Sequence, residues 1–593
     1  MAIVVLGINH NSHDSAASLL VDGEPVAVAE EERFIRKKHA GDVPVHATRF
    51  CLERAGLKPR DIDHVAFFYD PYLVMRKRLS LFVRYFPASL NLLLDMTAPA
   101  THILSMFLGE ARLLRRQLFG GDPGCRYRFH YVEHHRAHAA SALMLSPFAR
   151  AAVLSLDGTG EWATTWMGKG EENRLALLRQ MTFPHSVGLV YTAVTDYLGF
   201  RPWSGEGKVM GLAAYGDPAR YLPAFREIIR PTPEGFAVDM SYFRYHVRFW
   251  REWAGPKFVD TFGPPRVPES ALERRHQDIA AALQAVTEEI GLHLAGVLQR
   301  ATGERNLCLA GGVALNCVMN GRILRESPFG DVFVQPMAND AGTSLGAALY
   351  VHHVVLGHPR TTALRTASLG PEFGAAECAA ALRRHPVEFH ESEDVVRETA
   401  ALLAEGKIVG WFQGRMEVGP RALGNRSILA DPRRAEMKDR VNARIKHREG
   451  FRPFAPSVLV ERADEYFEGC RESPYMILNF VVRREKREVI PAVTHVDGTA
   501  RVQTVAREVN PLYYRLLEEF GRLTGVPVLL NTSFNVRGEP IVHTPDEAIV
   551  CLLGTEMDRL VIGPYVARKR GDSAGRAGEA PGGGTPPLPK KVS

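Results

Sequence analysis

Cysteine is scarce in this sequence, which has 7 cysteines among 593 residues. None of them is paired as CxxC, and their spacing shows no regular framework. This argues against zinc-finger chemistry and a disulfide scaffold, and it favours reduced thiols in the cytoplasm. The chain also opens directly into an apolar, strand-like run at Ala2–Gly7 without a charged leader, so we do not expect secretion.

Charge of one sign and long hydrophobic runs are also lacking. Lys and Arg number 73 against 67 Asp and Glu, which leaves a net charge of +6. Because the basic residues are spread along the chain, we expect no nucleic-acid partner, while anionic small substrates stay open. The most apolar stretch, 79–108, is broken by charges and prolines well short of the roughly 20 residues that a membrane span needs. We therefore predict no transmembrane span.

Residues from about 70 to 122 are interpreted as a helical insert that contains this apolar stretch. Basic residues flank it at 76–78 and at 112–116. Such an arrangement leaves peripheral contact with a membrane surface open.

The length of 593 residues is too great for a single hydrophobic core. Prolines and glycines break the helical pattern between Gly357 and Phe373, where we place a domain boundary. The prediction is one domain at 1–356 and a second at 370–568. The remaining residues, 571–593, are rich in Gly, Pro, Ala and Ser and are expected to form a disordered tail.

Two segments of the first domain share one plan of strand, polar turn and second strand. The first segment, 3–30, turns at 9–15, and the second, 152–168, turns at 157–160. The pairing indicates a duplicated α/β unit with a cleft between its halves, as in actin-like ATPases. A third strand, Asn306–Ala310, runs into Gly311 and Gly312, whose backbone amides could approach a nucleotide.

Two histidines spaced by four residues, His134 and His138, begin a segment of small residues that predicts a helix. Residues spaced by four lie on one helical face, so the two imidazoles form a candidate pair of metal ligands. Asp157 and Asp340 are the candidate carboxylate ligands, because each lies beside a glycine close to the end of a predicted strand. The alternative is that both histidines are ordinary helix residues with satisfied ring nitrogens.

Arginines of the second domain are concentrated in segments rich in glycine and proline, at 414–427 and 446–454. Guanidinium groups held in such loops are suited to bidentate binding of phosphate or carboxylate. For any single arginine, a surface salt bridge is the alternative. A polar turn at 531–535 follows a predicted buried strand, Val526–Leu530, and is interpreted as a further phosphate or nucleotide contact.

Six motifs together resemble the O-carbamoyltransferases of nodulation-factor and antibiotic biosynthesis, over about residues 3 to 568. The motifs are HHRAHAASA from His134, SGEGKVMGLAAYG from Ser204, GGVALN from Gly311, GPRALGNRSILADPR from Gly419, FRPFAPS from Phe451 and NTSFNVRGEPIV from Asn531. The resemblance implies an α/β protein with an actin-like (ASKHA) duplicated domain followed by a YrdC-like α/β domain.

The activity implied by this resemblance has two steps. The YrdC-like domain would form carbamoyl adenylate from carbamoyl phosphate and ATP. The actin-like domain, with a divalent metal that in this family is iron(II), would then transfer the carbamoyl group to a hydroxyl of a small molecule. Magnesium could accompany the ATP.

Each step also implies a set of residues in this chain. The catalytic candidates are His13 and Asp14, with His13 as a base near the acceptor hydroxyl. The metal ligands would be His134, His138, Asp157 and Asp340. Carbamoyl phosphate and the nucleotide phosphates would contact Arg421, Lys446, Arg452, Arg501 and Ser533. The remaining nucleotide contacts would be Lys208, Gly311, Gly312, Asn316, Asn531 and Asn535.

Two other functions stay open at this point. One is a tRNA threonylcarbamoyl-type modification enzyme, which shares the first fold. The other is a non-catalytic, actin-like ATP-binding scaffold, in which the arginine cluster would have no purpose. The acceptor and the oligomeric state are not predicted, although aromatic residues between Phe236 and Pro268 could stack on a sugar or simply pack in the core.

Overall fold

The structure is a computed structural model that describes residues 2–11, 13–86, 100–360 and 363–571. The predicted tail lies outside the described residues from 572 onward, as does the part of the insert at 87–99. The described parts of the insert include helices Pro71–Arg84 and Ala100–Phe119. No helix within the described residues has both the length and the hydropathy that crossing a bilayer requires.

Two five-stranded sheets form the frame of the N-terminal part. Its strands are β1 (Val4–Asn9), β2 (Ala16–Val21), β3 (Glu24–Glu30), β4 (His64–Phe67), β5 (Arg128–Tyr131), β6 (Arg150–Leu156), β7 (Ala163–Glu171), β8 (Arg174–Thr182), β9 (Ile229–Thr232), β10 (Gly235–Val238), β11 (Asn306–Ala310) and β12 (Asp331–Val334). The first sheet has the order β3-β2-β1-β4-β5 and the second β12-β11-β6-β7-β8. In each sheet the first strand pairs antiparallel with the hairpin strand that follows it and parallel with the fourth. The identical connection confirms the duplicated actin-like fold.

Helices cover both sheets and separate the strands. They span Glu31–Ile35, Val45–Ala55, Pro71–Arg84, Ala100–Phe119, His134–Leu145, Val187–Tyr197, Glu206–Ala213, Leu222–Ile228, Tyr245–Arg248, Pro256–Phe262, Arg274–Thr302, Cys317–Glu326 and Ala341–Leu349.

Two small-residue helices, His134–Leu145 and Ala341–Leu349, pack between the sheets. A Cβ atom on Gly346 would lie 1.9 Å from the carbonyl oxygen of Ala137, and one on Gly7 would lie 1.9 Å from that of Ser344. Glycine is therefore required at both positions for the backbones to approach so closely. This close packing brings the start of the second helix, at Asp340, next to the histidines that begin the first.

The C-terminal part is built on an eight-stranded mixed sheet, in agreement with the predicted α/β class. Its strands are β13 (Val387–Glu391), β14 (Val409–Phe412), β15 (Arg426–Ala430), β16 (Ala455–Leu459), β17 (Asn479–Val481), β18 (Thr499–Arg501), β19 (Gln503–Val505), β20 (Val528–Ser533), β21 (Arg559–Ile562) and β22 (Tyr565–Lys569). The order of the large sheet is β13-β22-β21-β14-β15-β20-β16-β19, and β17 pairs with β18 alone. Its helices are Ala375–Arg384, Val395–Ala404, Met437–Val441, Pro511–Thr524 and Pro545–Leu553.

One local prediction differs from the structure in this sheet. Asn531, Thr532 and Ser533 belong to strand β20, whereas the sequence pattern predicted a polar turn there. The reason is that β20 is a central strand, flanked by β15 and β16. Ladder partners on both sides extend the strand through residues whose polarity alone favours a turn.

Several contacts between the N- and C-terminal parts are hydrogen bonds from side-chain donors to backbone carbonyls, beside ion pairs such as that of Arg36 with Glu547 at 3.1 Å. The donors include Arg33, Arg36, Asn320 and Arg325, and the acceptors are the carbonyl oxygens of Gly419, Pro540, Ile541, Ile477 and Asn479. Their lengths lie between 2.7 and 2.9 Å. These hydrogen bonds tie the two parts together on several sides.

Candidate metal centre and cation cluster

Two imidazoles and two carboxylates converge at the start of helix His134–Leu145. Nε2 of His134 lies 2.8 Å from Oδ2 of Asp157, and Nε2 of His138 lies 3.3 Å from the same oxygen. Both Nε2 atoms are 3.7 Å from Oδ1 of Asp340 and 3.1 Å from each other. The possible ligand atoms of all four residues therefore lie within 4.8 Å of one another. The structure thus brings the four predicted metal ligands together.

The electrostatics of this cluster suit a cation. Burial lowers the pKa of His134, but the charges of Asp340 and Asp157 outweigh it and raise the pKa to about 9. Burial raises the pKa of Asp157, but hydrogen bonds from His134 and His138 hold it well below its usual range. The Nδ1 atoms of both histidines are buried without a hydrogen-bond partner among the described residues. Nitrogen and carboxylate donors in this number fit a divalent ion such as iron, manganese or zinc.

Strand ends and glycines position the two carboxylates. Asp157 follows strand β6, and its Oδ1 accepts a hydrogen bond of 3.0 Å from the backbone amide of Gly312. Gly311 has a φ of 88°, and a Cβ there would lie 2.1 Å from the carbonyl oxygen of Leu156. Only glycine allows this approach at position 311, while Gly312 supports the candidate metal centre through its backbone amide.

The neighbouring His135 shows what an ordinary buried histidine looks like in this helix. Its Nδ1 lies 2.9 Å from Oγ of Ser155, and its Nε2 lies 3.0 Å from the carbonyl oxygen of Ala163. Burial, and then the charge of His134, lower its pKa to about 3. Both of its ring nitrogens have protein partners, in contrast to His134 and His138.

The first hairpin turn places His13 and Asp14 next to the candidate metal centre. Nδ1 of His13 lies 2.9 Å from Oδ2 of Asp14, which also accepts a 2.8 Å hydrogen bond from the side-chain amide of Asn339. Nδ2 of Asn9 donates to the backbone carbonyls of both Asp14 and Asp340, at 3.0 and 2.7 Å. This bridge fixes the turn against the metal ligands.

A third residue, His39, joins this group and was missed in the sequence. Its Nδ1 lies 2.7 Å from Oδ1 of Asp14, so that Asp14 lies between two imidazoles. Asp14, Glu32 and His39 form the second group of possible ligand atoms within the described residues. His39 follows helix Glu31–Ile35 in a loop, where neither spacing nor hydrophobic pattern marks it.

Tryptophans form a wall beside the hairpin turns. The ring of Trp203 lies 5.4 Å from that of His13, and its edge is 3.1 Å from where a Cβ on Gly158 would be. Trp250 and Trp253 lie 5.2 and 5.7 Å from Trp203. Trp250 is 37% exposed, whereas Trp253 is 4% exposed. The neighbouring aromatic residues Tyr242, Phe243 and Tyr245 are buried in the core. Trp250 thus has the most accessible ring of the three tryptophans.

A second group of predicted residues forms a cation cluster in the C-terminal part, which we define as Arg421, Lys446, Arg448, Arg452 and Arg501. Burial, and then the charge of Arg501, lower the pKa of Arg421 to about 9. Burial also lowers the pKa of Arg452 and Arg501, and that of Lys446 lies well below its usual range. The Nε atoms of Arg421 and Arg501 are buried with no hydrogen-bond partner among the described residues. A cluster of one buried and four partly buried cations with so little neutralisation is suited to a multiply charged anion.

Lys446 is held in place by the segment that contains Ser533 and Asn535. Its Nζ donates to Oγ of Ser533 at 3.2 Å, to Oδ1 of Asn535 at 2.8 Å and to both backbone carbonyls. The lysine is 3% exposed. Asn531 is also buried, and its Nδ2 donates to Gln503 and Ser457 at 3.0 and 3.1 Å. Asn531 and Ser533 therefore lie on strand β20, and Asn535 lies just after it, beside the lysine of the cation cluster.

Two of the predicted nucleotide contacts have other partners in the structure. Nζ of Lys208 lies 2.8 Å from Oε1 of Glu449, which belongs to the loop between Lys446 and Arg452. Oδ1 of Asn316 accepts from the amide of Met319 at 3.0 Å and so caps helix Cys317–Glu326, and its side-chain amide donates to Gln284 at 2.9 Å. Lys208 thus borders the cation cluster, whereas Asn316 acts as a helix cap behind the glycines.

Comparison with known proteins decides the family of this chain. Residues 4–349 match the family described as "Carbamoyltransferase N-terminus", and residues 400–569 match "Carbamoyltransferase C-terminus". The chain belongs to the carbamoyltransferase family. This carbamoyltransferase is 39% identical to nodulation protein NolNO of Sinorhizobium fredii, over 94% of the chain and 79% of that protein.

Two further relatives extend the similarity. An uncharacterized protein of Synechocystis is 44% identical, over 95% of this carbamoyltransferase and 96% of that protein. A 3'-hydroxymethylcephem-O-carbamoyltransferase of Streptomyces clavuligerus is 32% identical, over 74% and 80%. These relatives confirm the O-carbamoyltransferase resemblance and make the protein an enzyme of the transferase class.

Proposed function

We propose that this enzyme forms carbamoyl adenylate from carbamoyl phosphate and ATP in its C-terminal domain, 370–568. The N-terminal domain, 1–356, then transfers the carbamoyl group to a hydroxyl of a small molecule. The cephem relative supports an alcohol as the acceptor, because its name describes carbamoylation of a hydroxymethyl group.

The observation that carries the first step is the cation cluster. Carbamate is a poor electrophile, and adenylation provides it with a good leaving group. Water hydrolyses carbamoyl phosphate to carbamate and phosphate, and a carbamate oxygen then attacks the α-phosphorus of ATP while pyrophosphate leaves. Arg421, Arg452 and Arg501 would hold the phosphates, because preorganised cations stabilise the charge that develops in phosphoryl transfer.

Lys446 and Ser533 would complete this site. The pKa of Lys446 is depressed by burial and then by the charge of Arg448. A bound anion would favour its protonated form and offset this repulsion. The hydroxyl of Ser533, already in contact with Lys446, would donate to a phosphate oxygen.

The metal centre belongs to the second step. His134, His138, Asp157 and Asp340 would hold the ion, which we propose is iron(II), and magnesium would accompany ATP. When bound, the metal supplies positive charge that offsets the charge of the adenylate phosphate. The protein contributes the fixed positions of the four ligands.

His13 lies in the first hairpin turn, which Asn9 ties to the backbone of the metal ligand Asp340. Burial lowers its pKa, but the charges of Asp340 and Asp14 raise it to about 10. These neighbouring carboxylates favour the protonated form of His13, which donates hydrogen bonds. We propose that His13 orients an anionic or hydroxyl oxygen, which leaves the proton-accepting role that the sequence predicted for it to a different group.

Pyrophosphate release tests the first step without knowledge of the acceptor. Purified wild-type protein is incubated with ATP and carbamoyl phosphate and compared with Arg421→Ala. The matched control is Arg568→Ala, because Arg568 is an exposed arginine of the same domain that pairs with Glu388 at 2.8 Å. Release that depends on carbamoyl phosphate and is lost only in Arg421→Ala supports the proposal. Absence of release from folded, metal-loaded wild type contradicts it.

A further inference from the structure

Asp14, His39 and Ser204 form a chain of hydrogen bonds that the two proposed steps do not use. Oδ1 of Asp14 lies 2.7 Å from Nδ1 of His39, and Nε2 of His39 lies 3.1 Å from Oγ of Ser204. These distances match those of a nucleophile, a base and the group that orients the base. We name the three residues the Asp–His–Ser chain.

The direction of these hydrogen bonds follows from their chemistry. The ionised carboxylate of Asp14 can only accept, so Nδ1 of His39 carries the hydrogen. Nε2 of neutral His39 is then an acceptor, and the Ser204 hydroxyl donates to it. Asp14 is 7% exposed; burial raises its pKa, but the charge of His13 and the hydrogen bonds from His13 and His39 bring the pKa well below its usual range. The carboxylate is thus ionised and fixed.

Backbone strain surrounds the same three side chains. Asp14, His39 and Trp203 have φ values of 67°, 55° and 65°, in the left-handed region that most side chains avoid. Aspartate and histidine tolerate this region, but a tryptophan there is uncommon. Strained residues persist where the surrounding structure holds a functional arrangement in place. Here the three residues with left-handed φ values lie in three different loops that meet at this point.

The Asp–His–Ser chain ends beside the candidate metal centre. Asn9 bridges the backbones of Asp14 and Asp340, at 3.0 and 2.7 Å. Trp203, directly before Ser204, packs on Gly158, directly after the metal ligand Asp157. The side chain of His39 is 23% exposed and Ser204, at the end of the chain, is partly exposed, so a small molecule can approach the serine. A hydrogen bond with only a structural role would require neither a position beside the candidate metal centre nor left-handed backbone conformations.

We propose that the Asp–His–Ser chain is a proton relay for carbamoyl transfer. The inference rests on the proposed function, because it supplies the base that His13 does not provide. The acceptor oxygen forms a bond to the carbamoyl carbon, and the bond from that carbon to the phosphate oxygen breaks. AMP leaves with the electron pair. The acceptor proton passes to Oγ of Ser204 while the proton of Ser204 passes to Nε2 of His39, and Asp14 stabilises the imidazolium.

The relay predicts a reactive Ser204, which an alkyl fluorophosphonate can report without any acceptor. Base assistance contributes about a hundredfold or more to such reactions. Wild type should be labelled at Ser204, as mapped by peptide mass spectrometry, and His39→Gly should be labelled at least about a hundredfold more slowly. Glycine suits the φ of 55° at position 39 and leaves space for free imidazole. Added imidazole should therefore restore labelling in His39→Gly, which a purely structural histidine would not explain.

His46 provides the matched control. Its Nδ1 lies 2.5 Å from Oε1 of Glu31, so it forms a similar histidine–carboxylate pair on the same domain. His46→Ala should be labelled at Ser204 as fast as wild type. If wild-type Ser204 is not labelled, or is labelled equally fast in His39→Gly, the relay is refuted.

Pyrophosphate release separates failure of the relay from failure of the proposed function. Adenylation precedes the relay, so Ser204→Ala and His39→Gly should release pyrophosphate from ATP and carbamoyl phosphate as wild type does. Loss of release in wild type would contradict the proposed function, while the labelling of Ser204 would still decide whether the relay exists.

Discussion

Replacing Arg421 with methionine should abolish activity and yet make the ligand-free protein more stable. Arg421 belongs to the cation cluster, and its buried Nε has no hydrogen-bond partner among the described residues. Burial and the charge of Arg501 disfavour its charged form. Methionine has an unbranched side chain of similar reach, so it removes the charge while retaining much of the packing.

The expected gain can be worked out from the pKa of this group. Lowering the pKa from 12.5 to about 9 corresponds to about 5 kcal/mol against the charged form. The side chain is not completely buried, so solvent offsets part of this penalty. We expect the free energy of unfolding of Arg421→Met to exceed that of wild type by about 1–4 kcal/mol. In a domain of this size, each kcal/mol raises the melting temperature by about 2–4 °C.

Differential scanning fluorimetry at low salt, with and without sodium pyrophosphate, measures the effect. Wild type should be stabilised by pyrophosphate, because the anion neutralises the cation cluster. Arg421→Met should melt higher than wild type without pyrophosphate and should lose most of the increase on its addition. Arg568→Met, in an exposed ion pair, should behave as wild type. A lower melting temperature for Arg421→Met, or an undiminished pyrophosphate effect, would refute the reasoning.

Three further predictions concern other parts of the structure. Asp340→Asn should reduce the bound metal at least about tenfold after loading with iron(II) or zinc, and unchanged metal content by mass spectrometry would remove Asp340 from the ligand set. Gly311→Ala should lower the free energy of unfolding by more than about 1 kcal/mol, because φ is 88° and the new Cβ would lie 2.1 Å from the Leu156 carbonyl oxygen. A melting curve like that of wild type would contradict this. Burial, and then the charge of Arg426, lower the pKa of His543 from 6.5 to about 4, so the folded protein binds fewer protons than the unfolded chain in that interval. Stability should thus fall by up to about 3 kcal/mol as the pH falls from 6.5 to 4, and His543→Gln should flatten this part of the stability profile against pH.

Local patterns in the sequence were enough to predict much of the fold and of the candidate site. A spacing of four predicted that His134 and His138 share a helical face, and their Nε2 atoms lie 3.1 Å apart. Strand ends beside glycines located Asp157 and Asp340, because parallel strands of one sheet end at the same edge.

Other features depend on contacts between distant segments and could not be predicted in this way. His39 and Ser204 lie 165 residues apart, in loops shaped by left-handed backbone conformations. The strand character of Asn531 depends on partners in β15 and β16, which local polarity does not reveal. Asn316 matched a nucleotide-binding motif, but its capping role is decided by the helix that begins next to it.

The connection between the two parts of the molecule has a consequence for the evolution and engineering of this family. Arg33, Arg36, Asn320 and Arg325 donate to backbone carbonyls, which every residue type provides. Substitution of the accepting residues therefore leaves these hydrogen bonds available, provided that the backbone keeps its course. Chimeric enzymes that join the N-terminal part of one relative to the C-terminal part of another should keep these hydrogen bonds, and should need matched residues at side-chain ion pairs such as that of Lys208 with Glu449. If the proposed division of the two steps holds, recombination of this kind would let new acceptors be adopted while the activation step is inherited unchanged.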